Sequence, residues 1–521
     1  MRFTSRRSTS TAAVAVTTSM LLAGCSAFGG GDGSSDSGSE SGANAQGGGV
    51  AASLVKDGSQ VIADPDGTGA EVSQKFFPES DTVVVAAGDR ESRLKAAAIA
   101  VDEGAPMLTR FGTPETSAAV DAEIERLGAP RVINVGEGAG EETDEDDLKL
   151  IADTQPVAAE EEQEVRAIVD RAQGDARGKD SDGVDEEVSI FATELTSLAA
   201  AATAAAKKLP VTVLSYADPR VTKESMDQVN GKKAVALGRQ FGSTERFRST
   251  IELAKNGEVT GGGGLIFPGR RMIATYGHPS GPALGQMGEQ PPAEAVNVVK
   301  EWVRQYQELT DEKVIPAFEI IATVASSDPG DDGNFTNESD PAELVPYIDA
   351  ITEAGGYAVI DLQPGLTTFK EQALRYEELL KRPNVGLALD AEWKLQPGQQ
   401  PAAQVGSANA AEINEATQWL AELTRENKLP QKALIVHQFQ LAMLPDRENI
   451  DTSAPELSFI LHADGHGTTE QKFETWNVMR KDLQPQFFMA WKNFIDEDMP
   501  MFTPEQTYST VNPRPWFVSY Q

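Results

Sequence analysis

From residue 271 onward, short apolar runs and helical patterns take turns along the chain, and that alternation leaves few folds open. Runs of β-branched and aliphatic residues bounded by turn residues read as strands buried on both faces. Strands that alternate with helices pair in parallel. Strands are expected at 271–276, 314–324, 357–362, 385–393, 433–439, 457–463 and 486–491, with an eighth within 516–520. Helices are expected at 293–309, 342–354, 368–381, 410–427 and 469–480; after the fifth strand the pattern offers only an irregular stretch, 443–455. Seven or eight βα units in roughly 260 residues is the size of a (β/α)8 TIM-like barrel. An open doubly wound sheet is the alternative. A glycine run at 261–264 marks the boundary, giving a barrel domain at 260–521. The Asp-, Gly- and Asn-rich segment 326–341 would lie over the mouth, as a cover or as a plain surface loop.

A second α/β region precedes the barrel, at 61–255. Strands at 82–87, 105–109 and 131–136 alternate with helices at 92–103 and 116–127. The same order returns with strands at 188–192, 210–214 and 233–238 and helices at 195–208 and 221–229, an internal repeat of about 105 residues. Parallel sheets follow from this order. The segments AAAIAVDEGAPMLTRF and AAAATAAAKKLPVTVLSY carry a resemblance to the cell-wall-binding repeat 2 family of Gram-positive surface proteins. That resemblance implies binding of a wall polymer; a flavodoxin-like scaffold without a polymer site is the alternative. No phosphate-binding glycine motif and no histidine occurs between 81 and 238. The acidic run GEETDEDD at 140–147 reads as a solvated linker between the copies.

The chain of 521 residues carries 80 acidic and 45 basic side chains, a net charge of −35. Nucleic acid is thereby excluded as a partner, since its binding needs a basic surface. The single cysteine excludes a disulfide framework and cysteine-rich zinc sites. It stands at Cys25, after Arg2, Arg6, Arg7, an apolar run and Leu21-Leu22-Ala23-Gly24. These are the parts of a secretory signal, and Leu-Ala-Gly-Cys resembles a bacterial lipobox. The resemblance implies removal of residues 1–24 and lipidation of Cys25, hence a membrane partner at the outer face of the cytoplasmic membrane. Several acyl chains at about 0.8 kcal/mol per buried methylene would hold the protein there. Residues 25–60, Gly/Ser/Asp-rich at first, read as a flexible tether. The acidic, Ala- and Gly-rich composition suits an actinobacterial surface protein.

Chemistry is expected at the C-terminal ends of the barrel strands. All four histidines, His278, His437, His462 and His466, fall there. Side chains alternate along a strand. In the fourth, Val385, Leu387 and Leu389 share one face, while Gly386, Ala388, Asp390 and Glu392 share the inward one. Two converging carboxylates can split into an acid and a base. The string VGLALDAEW resembles the D-x-E strand end of glycoside hydrolase family 25 lysozymes. That resemblance implies Glu392 as general acid and Asp390 as its partner on an envelope polysaccharide. Asp361 is a further catalytic candidate. Tyr276, His278, Glu319, Trp393, His437, Gln438, His462, Asp464 and Trp491 are expected to line the substrate site, the aromatic rings stacking on sugars. No cofactor is expected. Two alternatives stay open: a metal-dependent hydrolase using His437, His462, Asp464 and His466, and a non-catalytic glycan-binding scaffold.

Overall fold

The structure is a computed structural model and describes residues 53–140, 143–176 and 188–521. Cys25, the expected signal segment and most of the expected tether lie outside the described residues. The fold begins before the expected boundary at residue 60. Leu54 and Val55 are buried, and strand β1 (Gln60–Ile62) already belongs to a sheet.

The repeat appears as one topology used twice. Strands β2 (Thr82–Ala87), β3 (Met107–Arg110) and β4 (Arg131–Val135) form a parallel sheet in the order β3-β2-β4. Strands β5 (Val188–Thr193), β6 (Val211–Leu214) and β7 (Lys233–Leu237) repeat that order, and β1 adds beside β7. The equivalent helices Arg90–Glu103 and Leu198–Ala206 are capped by Asp89 and Ser197. Their alanine faces share one core, because small side chains let helix axes approach. Thr203 Oγ1 joins the copies, bonding Met107 N at 3.0 Å and Met107 O at 3.2 Å. The acidic run is not a loose linker at its C-terminal end. Asp144 caps the helix Glu145–Asp153, and buried Asp147 accepts from Arg131 Nε at 2.9 Å. Acidic residues favour a helix N-terminus through the helix dipole.

The glycine-rich boundary is a packed plug. Val259, Ile266 and Phe267 enter the barrel's interior cluster, whereas Leu265 packs into the core of the second repeat. The buried Arg270 guanidinium gathers the carbonyls of Val259, Thr260 and Gly262.

Beyond it lie β8 (Arg271–Gly277), β9 (Val314–Ala325), β10 (Thr336–Glu338), β11 (Tyr357–Leu362), β12 (Val385–Asp390), β13 (Lys432–His437), β14 (Leu457–Ala463), β15 (Phe488–Asn493) and β16 (Phe517–Tyr520). All but β10 pair in parallel in sequence order, and β16 closes onto β8. This is the expected closed eight-stranded barrel with helices between strands. After β13 only the short 3-10 turns Leu441–Met443 and Arg447–Asn449 appear, where no helical pattern was found. Segment 326–341 is an anchored hairpin: β10 pairs antiparallel with the end of β9, and Thr336 Oγ1 donates to Gln363 O at 2.8 Å. Among the described residues no helix is long and apolar enough to cross a membrane.

Alternation sorts the barrel's side chains. Leu387 and Leu389 pack outward with the helices, and Ala388 packs inward beside Tyr357, Val359 and Ile435. Gly386 is required by a close approach: a Cβ there would lie 2.7 Å from Ala433 O and 3.0 Å from the Tyr357 hydroxyl. Gly386→Ala is expected to destabilise by about 1–3 kcal/mol, the usual cost of overpacking. Thermal melting should fall by roughly 2–10 °C, at a few degrees per kcal/mol for a domain of this size.

Candidate active site

Toward the C-terminal end of the barrel, the inward face of each strand carries a polar side chain. In strand order these are Tyr276, Glu319, Asp361, Asp390, His437, His462, Lys492 and Ser519, and all are buried. The strand register sets them side by side, pairing Tyr276 with Glu319, Asp390 with His437, His437 with His462, and Lys492 with Ser519. Beneath them the interior turns apolar, with Ala274, Ala317, Val359, Ala388, Ile435, Ile460, Ala490 and Phe517. The polar layer is therefore a floor, with the barrel core below and the mouth above.

His437 holds the floor together. Its Nδ1 lies 2.8 Å from Asp464 Oδ2 and its Nε2 2.8 Å from Glu319 Oε1. His462 Nε2 meets Ser519 Oγ at 3.1 Å, and its Nδ1 faces Glu319 Oε1 at 3.7 Å. The Tyr276 hydroxyl donates to Asp361 Oδ2 at 2.8 Å, and Lys492 Nζ sits 3.7 Å from the centre of the Tyr276 ring.

These contacts divide the protonation states. Burial opposes charge on His437, but the Glu319 and Asp464 carboxylates outweigh it and hold its pKa well above the ordinary value. Burial works the same way against Asp464 and is overcome by the hydrogen bond from His437, so Asp464 stays ionised. Burial lowers the pKa of His462. It raises Asp361 to about 6 and, with the nearby Asp361 and Asp464 charges, holds Asp390 well above the usual carboxylate range. Glu392, desolvated and facing Asp464, is pushed up to about 7.

Above the floor opens a cleft of about 540 Å³. Asp390, Glu392, Asp464 and Lys492 line it together with Tyr276, Gln363 and the aromatic rings of Trp393, Phe439 and Phe494. Glu392 reaches the cleft by a different route from the one alternation implies. The strand stops at Asp390, and Glu392 lies in a 3-10 turn, Ala391–Trp393, whose start is fixed by Glu392 N donating to Asp390 Oδ1 at 3.1 Å.

The expected residues separate into three groups. Asp390, Glu392, Asp464, Tyr276 and Trp393 meet in the cleft, while Asp361, Glu319, His437 and His462 form its floor. Three others are turned away. Trp491 packs outward between Trp476 and Phe502, since Ala490 and Lys492 hold the inward positions of β15. Gln438, one residue past inward-facing His437, bonds Arg447 Nη1 at 2.8 Å. His278 bridges Ser280 Oγ at 2.8 Å and Ser339 Oγ at 2.9 Å, tying two loops together. The four-residue metal set does not assemble either. His466 is exposed against the Phe494 ring, and Asp464 holds the nitrogen of His437 that faces away from His462 and Glu319. Lys492, Phe439 and Phe494 were missed. Strand parity points to Lys492 and Phe494, because both share the inward face of Ala490.

No family model and no curated protein matches the chain. Distant likeness to solved structures includes the following two. One is Cwp6 from Clostridium difficile, at 12% identity and a TM-score of 0.26, covering 52% of this chain and 64% of that one. The other is cellobiohydrolase II (Cel6A) from Humicola insolens in complex with glucose and cellotetraose, at 11% identity and a TM-score of 0.19, covering 32% of this chain and 57% of that one. Each match spans less than two thirds of its counterpart, and at these scores neither bears on activity.

Proposed function

We propose that this chain is a lipid-anchored cell-envelope protein whose barrel hydrolyses an envelope glycan, with Glu392 as general acid. The observation that carries this reading is the mouth cleft, where a carboxyl group pushed up to about 7 faces carboxylates held in other protonation states. A glycosidic bond breaks when its leaving oxygen takes a proton while a second carboxylate assists at the anomeric carbon. Glu392 supplies the proton. Asp464, ionised by its bond to His437, is better suited to the second role than Asp390, which burial keeps protonated. Asp390 positions Glu392 by accepting its backbone N–H. Trp393, Phe439 and Phe494 offer apolar faces to sugar rings. The anchor on Cys25 and wall binding by the repeated α/β region belong to the same proposal. They rest on the lipobox and on the repeat's resemblance.

Three outcomes are expected. Release of soluble sugar from purified cell envelope by the full chain should drop about 100-fold or more in Glu392→Gln with the circular dichroism spectrum unchanged, the usual scale of general acid catalysis. Binding without release by the wild type would leave a glycan-binding scaffold instead. The acid must be protonated to act, so kcat/KM should fall as pH rises through about 7. Asp390, Asp464 and Glu497 face the cleft as acids and Lys492 and His466 as bases, with His437 beneath. Glu392→Gln should remove that limb from any residual rate. Cys25→Ala should move the protein from the detergent phase to the aqueous phase in detergent partitioning, and equal partitioning of both forms would contradict the anchor.

A further inference from the structure

The floor contains more buried polar atoms than it satisfies. Glu319 Oε2, Asp361 Oδ1, His462 Nδ1 and Asp464 Oδ1 are buried and have no hydrogen-bond partner among the described residues. Buried polar groups are almost always paired, and each exception calls for a cause. Three of them, on Glu319, Asp361 and His462, belong to side chains grouped around His437 and call for a common cause. Three carboxylates, Glu319, Asp361 and Asp390, also share this layer with only Lys492 and two imidazoles, and Asp464 adjoins it through His437.

The two histidines are arranged as ligands. A metal-binding imidazole directs one nitrogen at the ion and is oriented through the other by a carboxylate, carbonyl or water. His437 Nδ1 is held by Asp464 Oδ2, and His462 Nε2 by the Ser519 hydroxyl. Their remaining nitrogens converge on Glu319 Oε1, at 2.8 Å and 3.7 Å. One ligand atom from each of Glu319, His437 and His462 lies within 4.8 Å of the others. Donors about 2.1 Å from a shared tetrahedral ion stand roughly 3.4 Å apart, so small side-chain movements suffice. Asp361 Oδ1, 3.9 Å from His437 Nε2, is the nearest further oxygen.

We propose that Glu319, His437 and His462 bind a divalent first-row metal ion of the zinc type beneath the mouth of the barrel, with Asp361 as the fourth ligand. Two imidazoles with carboxylate oxygens suit such an ion better than magnesium or calcium, which favour oxygen alone. The ion gives a partner to Glu319, Asp361 and His462 at once and offsets the negative charge of the two carboxylates. It takes the place of the Nε2 proton that Glu319 holds on His437 without metal, and it fixes His437, and through its Nδ1 Asp464, in one orientation at the cleft. This differs from the set with His466, and it stands independently of the carbohydrate reading.

The test is metal content and melting of the full chain. Purified without added metal, the protein should carry about one transition-metal ion per chain by elemental mass spectrometry. After chelator dialysis, zinc alone at about 100 times its dissociation constant should raise the melting temperature by roughly 5–10 °C. His462→Gln should lose both effects, whereas His466→Ala should keep them. Should His462→Gln fail to fold, wild-type protein loaded with Co2+ still decides, because a four-coordinate tetrahedral Co2+ site gives intense visible d–d bands whereas six-coordinate Co2+ in water gives weak ones. Metal-free protein as purified, with neither a zinc-dependent shift nor cobalt bands, overturns the proposal. So does binding abolished by His466→Ala.

Discussion

Closing a parallel sheet on itself sends every second side chain of every strand toward one axis, and the candidate site follows from that constraint. The axis has room for apolar layers and, at the end where the strands finish, for one polar layer. Within that layer His437 is the tie. It clasps Glu319 from β9 and Asp464 from the end of β14, so a single imidazole links opposite sides of the barrel. Replacing one partner of such a buried pair is costly, typically about 3–5 kcal/mol, because the other is left charged and unpaired. The same contacts decide which carboxylate above the floor keeps its proton.

The rest of the molecule supports this end from below. The segment after the second repeat fills the opposite mouth with Ile266 and Phe267, and Arg270 fixes its backbone. Arg220 Nη1 donates to Pro455 O at 2.8 Å and Asn256 Nδ2 to Leu429 O at 3.1 Å, joining the α/β region to the barrel. The two regions are thus bonded directly, and what the sequence presents as a glycine-rich break is part of the barrel's packing.

Much of the fold was legible because its signals are local and repeated. The run Thr82–Ala87 and its counterpart Val188–Thr193 announce strands, and Gly128, with φ 65°, ends a helix where a left-handed residue is needed. Asp390 was found by counting parity along one strand. The same count explains the misses: Trp491 and Gln438 occupy outward positions, while Lys492 is inward. Glu392 reached the cleft although the strand ended before it, since a side-chain bond from Asp390 set the turn. Other features were not legible, because they depend on side chains brought from distant strands. The clasp of His437 by residues 118 positions upstream and 27 downstream is one. The bridging of loops by His278 is another.

The proposed chemistry depends on a carboxyl group that keeps its proton near neutrality at the mouth of the barrel. Carbon-13 NMR of side-chain carboxyls, assigned by comparison with Glu392→Gln, measures that group directly across a pH series. Titration of Glu392 near 7 is the predicted result. Titration in the ordinary glutamate range, about 4.3, would contradict it.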